Sequence, residues 1–285
     1  MEVRSVPKSL AVLEGLLPQL NAAERRVAEY LLQHASDVIG LSITELADRS
    51  QASEATVVRL SRRLGCRGYQ DLKIRIAQEI VEPARRIHED VVPGDDPASA
   101  AQKVFASTIA ALQATLDVMD PEAMERAADA IHRSTEVVFF GVGGAAFVAA
   151  DAAQRFVKLG LLTQALSDSH AQAVKASLMR PGSVAVGISH SGSTKATVQA
   201  LELARRGGAT TICVTSLGRS PITRASDISL FTSARETAFR TEAMSSRVAQ
   251  VTLLDALFVL VALRRYEQAL ANIERAREVN ADKRY

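Results

Sequence analysis

The sequence predicts an α + α/β protein: an all-helical N-terminal domain, then a five-stranded parallel sheet with helices on both faces. Three observations predict it. Before residue 83 every periodic segment spaces its apolar residues as a helix does. Beyond about residue 135 short β-branched strands alternate strictly with helical runs, the pattern of right-handed β-α-β crossovers. Between the two, Pro83, Pro93, Gly94 and Pro97 punctuate the chain. The expected domains are residues 1–82 and 99–285, with a linker over 83–98.

In the first domain, Asn21 followed by Glu24 fits a capping box, opening a helix with Val27, Tyr30 and Leu31. Short helices follow over 43–49 and 53–64, then one over 69–82 with Leu72, Ile76 and Ile80 on one face. The spacing from Ile43 to Arg62 is that of a helix-turn-helix. Ala47 is small, as a close helix crossing needs, Ser53 can cap the second helix, and Glu54 suits its positive end. Val57, Leu60 and Leu64 share one face, so Ala55, Val58, Arg59 and Arg62 form the other. Arginine pairs bidentately with guanine and alanine can touch a thymine methyl, so that face suits a major groove. Ser53, Ala55, Thr56, Arg59, Arg62, Arg63 and Arg67 are the candidate DNA-binding residues, with Arg63 and Arg67 at the flank facing phosphates. Gln51 stands where such turns usually carry glycine, and must take a left-handed conformation at roughly 1 kcal/mol.

Charge supports this placement locally rather than globally. Residues 1–90 carry equal numbers of acidic and basic side chains, yet from Arg49 to Arg75 seven basic residues face only Glu54 and Asp71.

The expected strands are Val137–Phe140, Leu161–Ala165, Val184–Ile188, Thr211–Thr215 and Ile228–Phe231, preceded by helices over 98–117 and 121–133 and followed by helices over 243–264 and 266–281. In such sheets ligands sit at the carboxyl ends of strands, where the strand order reverses. Two loops there have suitable chemistry. Gly141–Ala146 follows the first strand and supplies the backbone of Gly143 and Gly144. Ser189–Thr194 follows the third and offers the hydroxyls of Ser189, Ser191, Ser193 and Thr194, with Gly192 admitting close approach of an anion to the backbone. Glu242, in the polar stretch TSARETAFRTEAMSS, is expected to line or cover the same site. The first loop also satisfies G-x-G-x-x-A with Asp168 further on, so a dinucleotide site is the competing reading; the second loop is the better anion cradle.

The composition, 47% hydrophobic and 23% charged in 285 residues, fits an ordinary globular protein able to bury two cores. There is no stretch of about 18 consecutive apolar residues and no cleavable leader, so neither a transmembrane helix nor a membrane partner is expected, and the expected compartment is the cytoplasm. Cys66 and Cys213 fall in different domains, and the five histidines lack ligand spacing; neither a metal nor a cofactor is expected.

Both halves resemble one family. The segments SEATVVRLSRRLGCRGYQDLK at 53–73, ISHSGSTKATVQALELARRGGA at 188–209 and SSRVAQVTLLDALF at 245–258 are similar to RpiR-type transcription regulators, a helix-turn-helix followed by a SIS (sugar isomerase) domain. The resemblance implies a flavodoxin-like strand order 2-1-3-4-5 and a homo-oligomer, dimer or tetramer, formed through the SIS domains. It also implies a phosphorylated sugar as effector and, as the other partner, double-stranded operator DNA in the form of an inverted repeat. The family's S-x-S-G-x-T phosphate loop falls on Ser189, Ser191, Gly192 and Thr194, whereas Ala145 stands where its first loop usually has serine. The alternative from another class is a sugar-phosphate aldose–ketose isomerase. That reaction needs a base to move a proton between adjacent carbons, for which Glu236, Glu242, His170 and His190 are the candidates. The attached DNA-binding domain favours a sensor without catalytic residues.

Overall fold

The structure, a computed structural model, describes residues 9–80, 91, 94–234 and 244–279. It divides into two compact units, whose main division along the chain falls between Ser107 and Thr108. Most of the expected linker, and Glu236 and Glu242, lie outside the described residues.

The first unit is helical. It contains α1 (Ser9–Leu16), α2 (Ala22–Gln33), α3 (Ala35–Val38), α4 (Ile43–Arg49), α5 (Glu54–Arg63) and α6 (Tyr69–Ile80). Helices α2, α4 and α5 start where side-chain oxygens satisfy free N–H groups. Asn21 accepts from the Glu24 N–H at 2.9 Å, Ser53 from the Thr56 N–H at 3.2 Å, and Ser42 forms a reciprocal capping box with Glu45 at the start of α4. Val27, Leu31, Leu46, Val57, Leu60, Leu72 and Ile76 are buried together as its core. The side chain of Ile80, expected on the same face as Leu72 and Ile76, lies outside the described residues. Tyr69 joins this core, its hydroxyl donating to the Leu41 carbonyl at 3.0 Å; burial pushes that phenol far above its ordinary range.

Helix α7 (Pro97–Val118) carries the chain across the boundary between units, and α8 (Pro121–His132) precedes the sheet. The second unit then alternates: β1 (Glu136–Phe140), α9 (Gly144–Phe156), β2 (Thr163–Leu166), α10 (Ser169–Ser177), β3 (Ser183–Ile188), α11 (Lys195–Arg206), β4 (Thr210–Ser216), α12 (Pro221–Arg224) and β5 (Ile228–Thr232). Two helices close it, α13 (Met244–Arg264) and α14 (Tyr266–Glu278). All pairings are parallel and the strand order is 2-1-3-4-5, as the resemblance implies.

Alternation along the strands sorts side chains to two faces. Val137, Phe139, Val184, Val186, Ile188, Ile212 and Val214 pack beneath α8, α9 and α13. Val138, Phe140, Ala185 and Cys213 pack with residues of α10, α11 and α12 on the opposite face. Both faces are covered, which is why β3 is a continuous run of buried residues. Helix α13 is long and apolar enough to cross a membrane by composition alone. Its Leu253, Leu254, Leu257 and Val261 are instead part of the sheet's core, which accounts for that hydropathy.

Candidate functional site

In the helical unit, α4 and α5 are joined by a turn over Ser50–Ser53. Gln51 has φ 50°, and among the described residues it is the sole non-glycine with positive φ. The turn is held around it: the Ala52 N–H donates to the Ala47 carbonyl at 2.9 Å, and Arg26 Nη2 donates to the Gln51 carbonyl at 2.7 Å. Ala47, at the crossing, is buried.

Of the candidate DNA-binding residues, Ser53, Ala55, Arg59, Arg62, Arg63 and Arg67 are exposed. Ala55, Arg59 and Arg62 fall at i, i+4 and i+7 on one face of α5. Thr56 differs: it is buried, and its hydroxyl lies 2.9 Å from that of Ser53 at the helix start. The two flanking arginines also part company. The Arg67 side chain is 95% exposed and among the described residues reaches Asp71 only at 3.8 Å, while Arg63 donates to the Gln19 carbonyl at 3.1 Å and to Glu24 at 3.4 Å. Arg59 Nε donates to Glu24 Oε1 at 2.6 Å. Nothing in the local pattern around Glu24 distinguishes it from an ordinary cap residue; its partners lie 35 and 39 positions away, so pairing could be seen only in the fold.

In the sheet unit, the two loops leave adjacent strands. Phe140 is the register partner of Gly187, so Gly141–Ala146 and Ser189–Thr194 emerge side by side where the strand order reverses. Gln172 on α10 anchors the first loop, its Nε2 donating to the carbonyls of Gly141 at 3.2 Å and Leu166 at 2.9 Å. Gly143, with φ 61°, caps α9 without any side chain. A Cβ on Gly144 would come within 2.7 Å of Arg247 Nε, so the missing side chain makes room for a guanidinium from α13. Arg247 was absent from the sequence-based candidates, although it lies in the SSRVAQ segment, because nothing local links position 247 to position 144. Ala145 packs against the sheet core.

The second loop is built around its hydroxyls. Ser189 is buried and its Oγ lies 2.9 Å from that of Thr194. Thr194 is the N-cap of α11 yet its side chain makes no capping bond, so the first turn of that helix meets the loop without a side-chain oxygen across it. Ser191 Oγ accepts the Ser193 N–H at 3.3 Å, and Ser193 Oγ donates to the Ser191 carbonyl at 3.2 Å. Gly192 turns with φ 63°, and its carbonyl accepts the Ile222 N–H at 2.9 Å. Uncapped helix N–H groups thus lie beside four hydroxyls, donors of the kind a tetrahedral anion accepts.

The other candidates have local roles. Asp168 caps α10, accepting the Ala171 N–H at 2.9 Å. His190 Nδ1 lies 3.0 Å from the Ser216 hydroxyl, and His170 is exposed on α10.

Comparison with known proteins agrees with this construction. Residues 8–83 match the helix-turn-helix domain of the rpiR family, and residues 130–260 match the SIS domain. The chain is 37% identical to an HTH-type transcriptional regulator of Caldanaerobacter subterraneus subsp. tengcongensis, over 95% of this chain and 96% of that protein. It is 36% identical to the HTH-type transcriptional regulator HexR of Pseudomonas aeruginosa, over 97% and 96% of the two chains. The structure of Vibrio vulnificus NanR complexed with ManNAc-6P is similar with a TM-score of 0.81 at 27% identity, covering 97% of this chain and 99% of that one. The chain therefore belongs to the RpiR family of helix-turn-helix transcriptional regulators that carry a SIS domain.

Proposed function

We propose that this protein binds an inverted-repeat operator as a homo-oligomer, dimer or tetramer, and that a phosphorylated sugar held in the SIS domain controls its affinity for DNA. The domains would be residues 1–82 for DNA and 99–285 for the effector, joined by 83–98, and the protein would work in the cytoplasm beside its target genes. The observation that carries the effector reading is the Ser189–Thr194 cradle at the uncapped start of α11. The NanR complex with ManNAc-6P supports the same chemical class of ligand. Gly143 and Gly144 would contribute backbone, Ser189, Ser191, Gly192, Ser193 and Thr194 the phosphate contacts, and Glu242 a contact to the sugar. On α5 and its flanks, Ser53, Ala55, Arg59, Arg62 and Arg67 would meet the DNA. A sensor is favoured over an isomerase because His190 is engaged with Ser216 and the relatives are named as regulators.

Control requires that the effector bind the DNA-competent and DNA-free arrangements unequally, with a coupling typically of about 1–3 kcal/mol. Reciprocity then obliges operator DNA to change effector affinity by the same factor. The test is a titration of the sugar phosphate, chosen from a thermal-shift panel, with and without saturating operator. A changed dissociation constant is expected; identical constants at a salt where both ligands bind would refute control of DNA binding by the sugar.

A further inference from the structure

We propose that Glu24 is a specificity-determining positioning residue: it holds the Arg59 guanidinium so that its outer edge reads a base instead of drifting to a phosphate. This rests on the reading of α5 as the recognition helix.

Glu24 occupies the third position of α2, yet its side chain is only 3% exposed. A carboxylate in such a place is costly unless it is paired. Arg59 pairs it through Nε at 2.6 Å and Arg63 through Nη1 at 3.4 Å. The bond to Arg59 is the main influence holding this carboxyl below its ordinary value; burial opposes it, and the Asn21 backbone and the charges of Arg59 and Arg63 assist.

The geometry gives the two arginines different tasks. Arg59 spends its Nε on Glu24, and among the described residues both of its Nη groups are unengaged, on a side chain that is 57% exposed. Two parallel N–H groups on one edge are what guanine O6 and N7 accept. Anchoring Nε removes much of the rotamer freedom that lets a long cation settle on any nearby phosphate. Ala55, exposed one turn earlier on the same face, keeps the approach clear. Arg63 has Nη1 on Glu24 and Nη2 on the Gln19 carbonyl, so it ties α5 to the entry of α2 rather than reaching outward. Arg62 is exposed and has no such tether among the described residues. One buried anion thus sorts three neighbouring arginines into a held reader, a clamp and a free cation.

The test uses the full-length protein and two duplexes. One is the sequence most enriched by the parent from a random library, the other a scrambled duplex of equal length. Affinities for both are measured over a range of salt. Glu24→Gln keeps the shape and removes the charge. The ratio of selected to scrambled affinity should fall roughly tenfold. Binding to the scrambled duplex should hold or tighten, with a steeper salt dependence as released arginines meet phosphates. In an Arg59→Ala background the same change should move the ratio less than about twofold, because both act through one contact. Arg59→Lys keeps the charge but loses both the anchored Nε and the two-pronged edge. It should reproduce the loss, as removal of the reading edge itself must. If Glu24→Gln fails to fold by thermal melting, Glu24→Asp, which keeps the charge but shortens the reach to Arg59 Nε, takes its place and should lower the ratio in the same way. An unchanged ratio, an equal loss on both duplexes, or a full loss persisting without Arg59 would make Glu24 a structural ion-pair residue and overturn the proposal. If Arg59→Ala and Arg62→Ala bind the selected duplex as the parent does, the recognition-helix reading has failed first, and that result is visible without touching Glu24.

Discussion

The hydroxyls of Ser189 and Thr194 stand 2.9 Å apart, joining the two ends of the Ser189–Thr194 loop to each other. Because Ser189 is buried and the Thr194 hydroxyl turns to it instead of capping α11, the pair sets the loop's shape and, in the proposed reading, holds both hydroxyls, Ser191 and the helix N–H groups where a phosphate would sit. Ser189→Ala and Thr194→Ala should therefore each weaken a phosphosugar, and the double variant should lose little more than either alone. Ser191→Ala should cost about 1–3 kcal/mol independently of that pair. Calorimetry of each variant with the sugar phosphate and with its unphosphorylated form checks this. Equal affinity of the parent protein for both sugars would remove the phosphate role from this loop.

At the DNA face, Arg59→Ala and Arg62→Ala should each cost about 1–3 kcal/mol and relax base preference at one operator position. Arg67 is the cleaner phosphate probe, since Arg63 is already bonded within the protein and the Arg67 guanidinium, among the described residues, has only a long surface contact to Asp71. Arg67→Ala should weaken all duplexes alike and lower the slope of log K against log salt by about 0.9. Competition assays over a salt series separate the two behaviours.

Gln51 holds φ 50° in the turn, where a Cβ costs roughly 1 kcal/mol relative to glycine. Its contact with Arg26 uses the backbone carbonyl and survives substitution. Gln51→Gly should raise the melting temperature of the helical unit by a few degrees while leaving operator affinity unchanged. A lower melting temperature would show that the glutamine side chain contributes more than the strain it imposes.

Glu24 makes stability depend on acid. Its carboxyl sits below the ordinary value of 4.5 in the folded state, so its contribution is fully present above about that pH and is lost as pH falls through the lower, folded value. The gap in melting temperature between the parent and Glu24→Gln should accordingly narrow on acidification below pH 4.5, and stay constant above it. Melting curves across that window provide the check; a gap that widens in acid would contradict the pairing.

Much of the fold could be read locally. Caps at Asn21 and Ser53, the apolar spacing of Val57 and Leu60, and the β-branched runs of β1, β3 and β4 are each set by residues within a turn or a strand of one another. The left-handed turn at Gln51 was legible for the same reason, since helix spacing dictates it whatever residue stands there. Helix α1 gave no comparable signal, because its apolar residues are not confined to one stripe and only packing on the other helices fixes it.

The sequence by itself determined the class of the protein, and with it an arginine-bearing second helix after a short turn and a hydroxyl-rich loop following a buried strand. Only the tertiary structure decided how those side chains are used. It turned Thr56 inward, bonded Arg63 to Gln19, set Arg59 against Glu24, and brought Arg247 over Gly144. The physical reason is range. Helix period, capping and turn strain act over three or four residues, whereas burying a charge forces it to find a partner wherever the packed chain supplies one, and that choice is written in no local stretch.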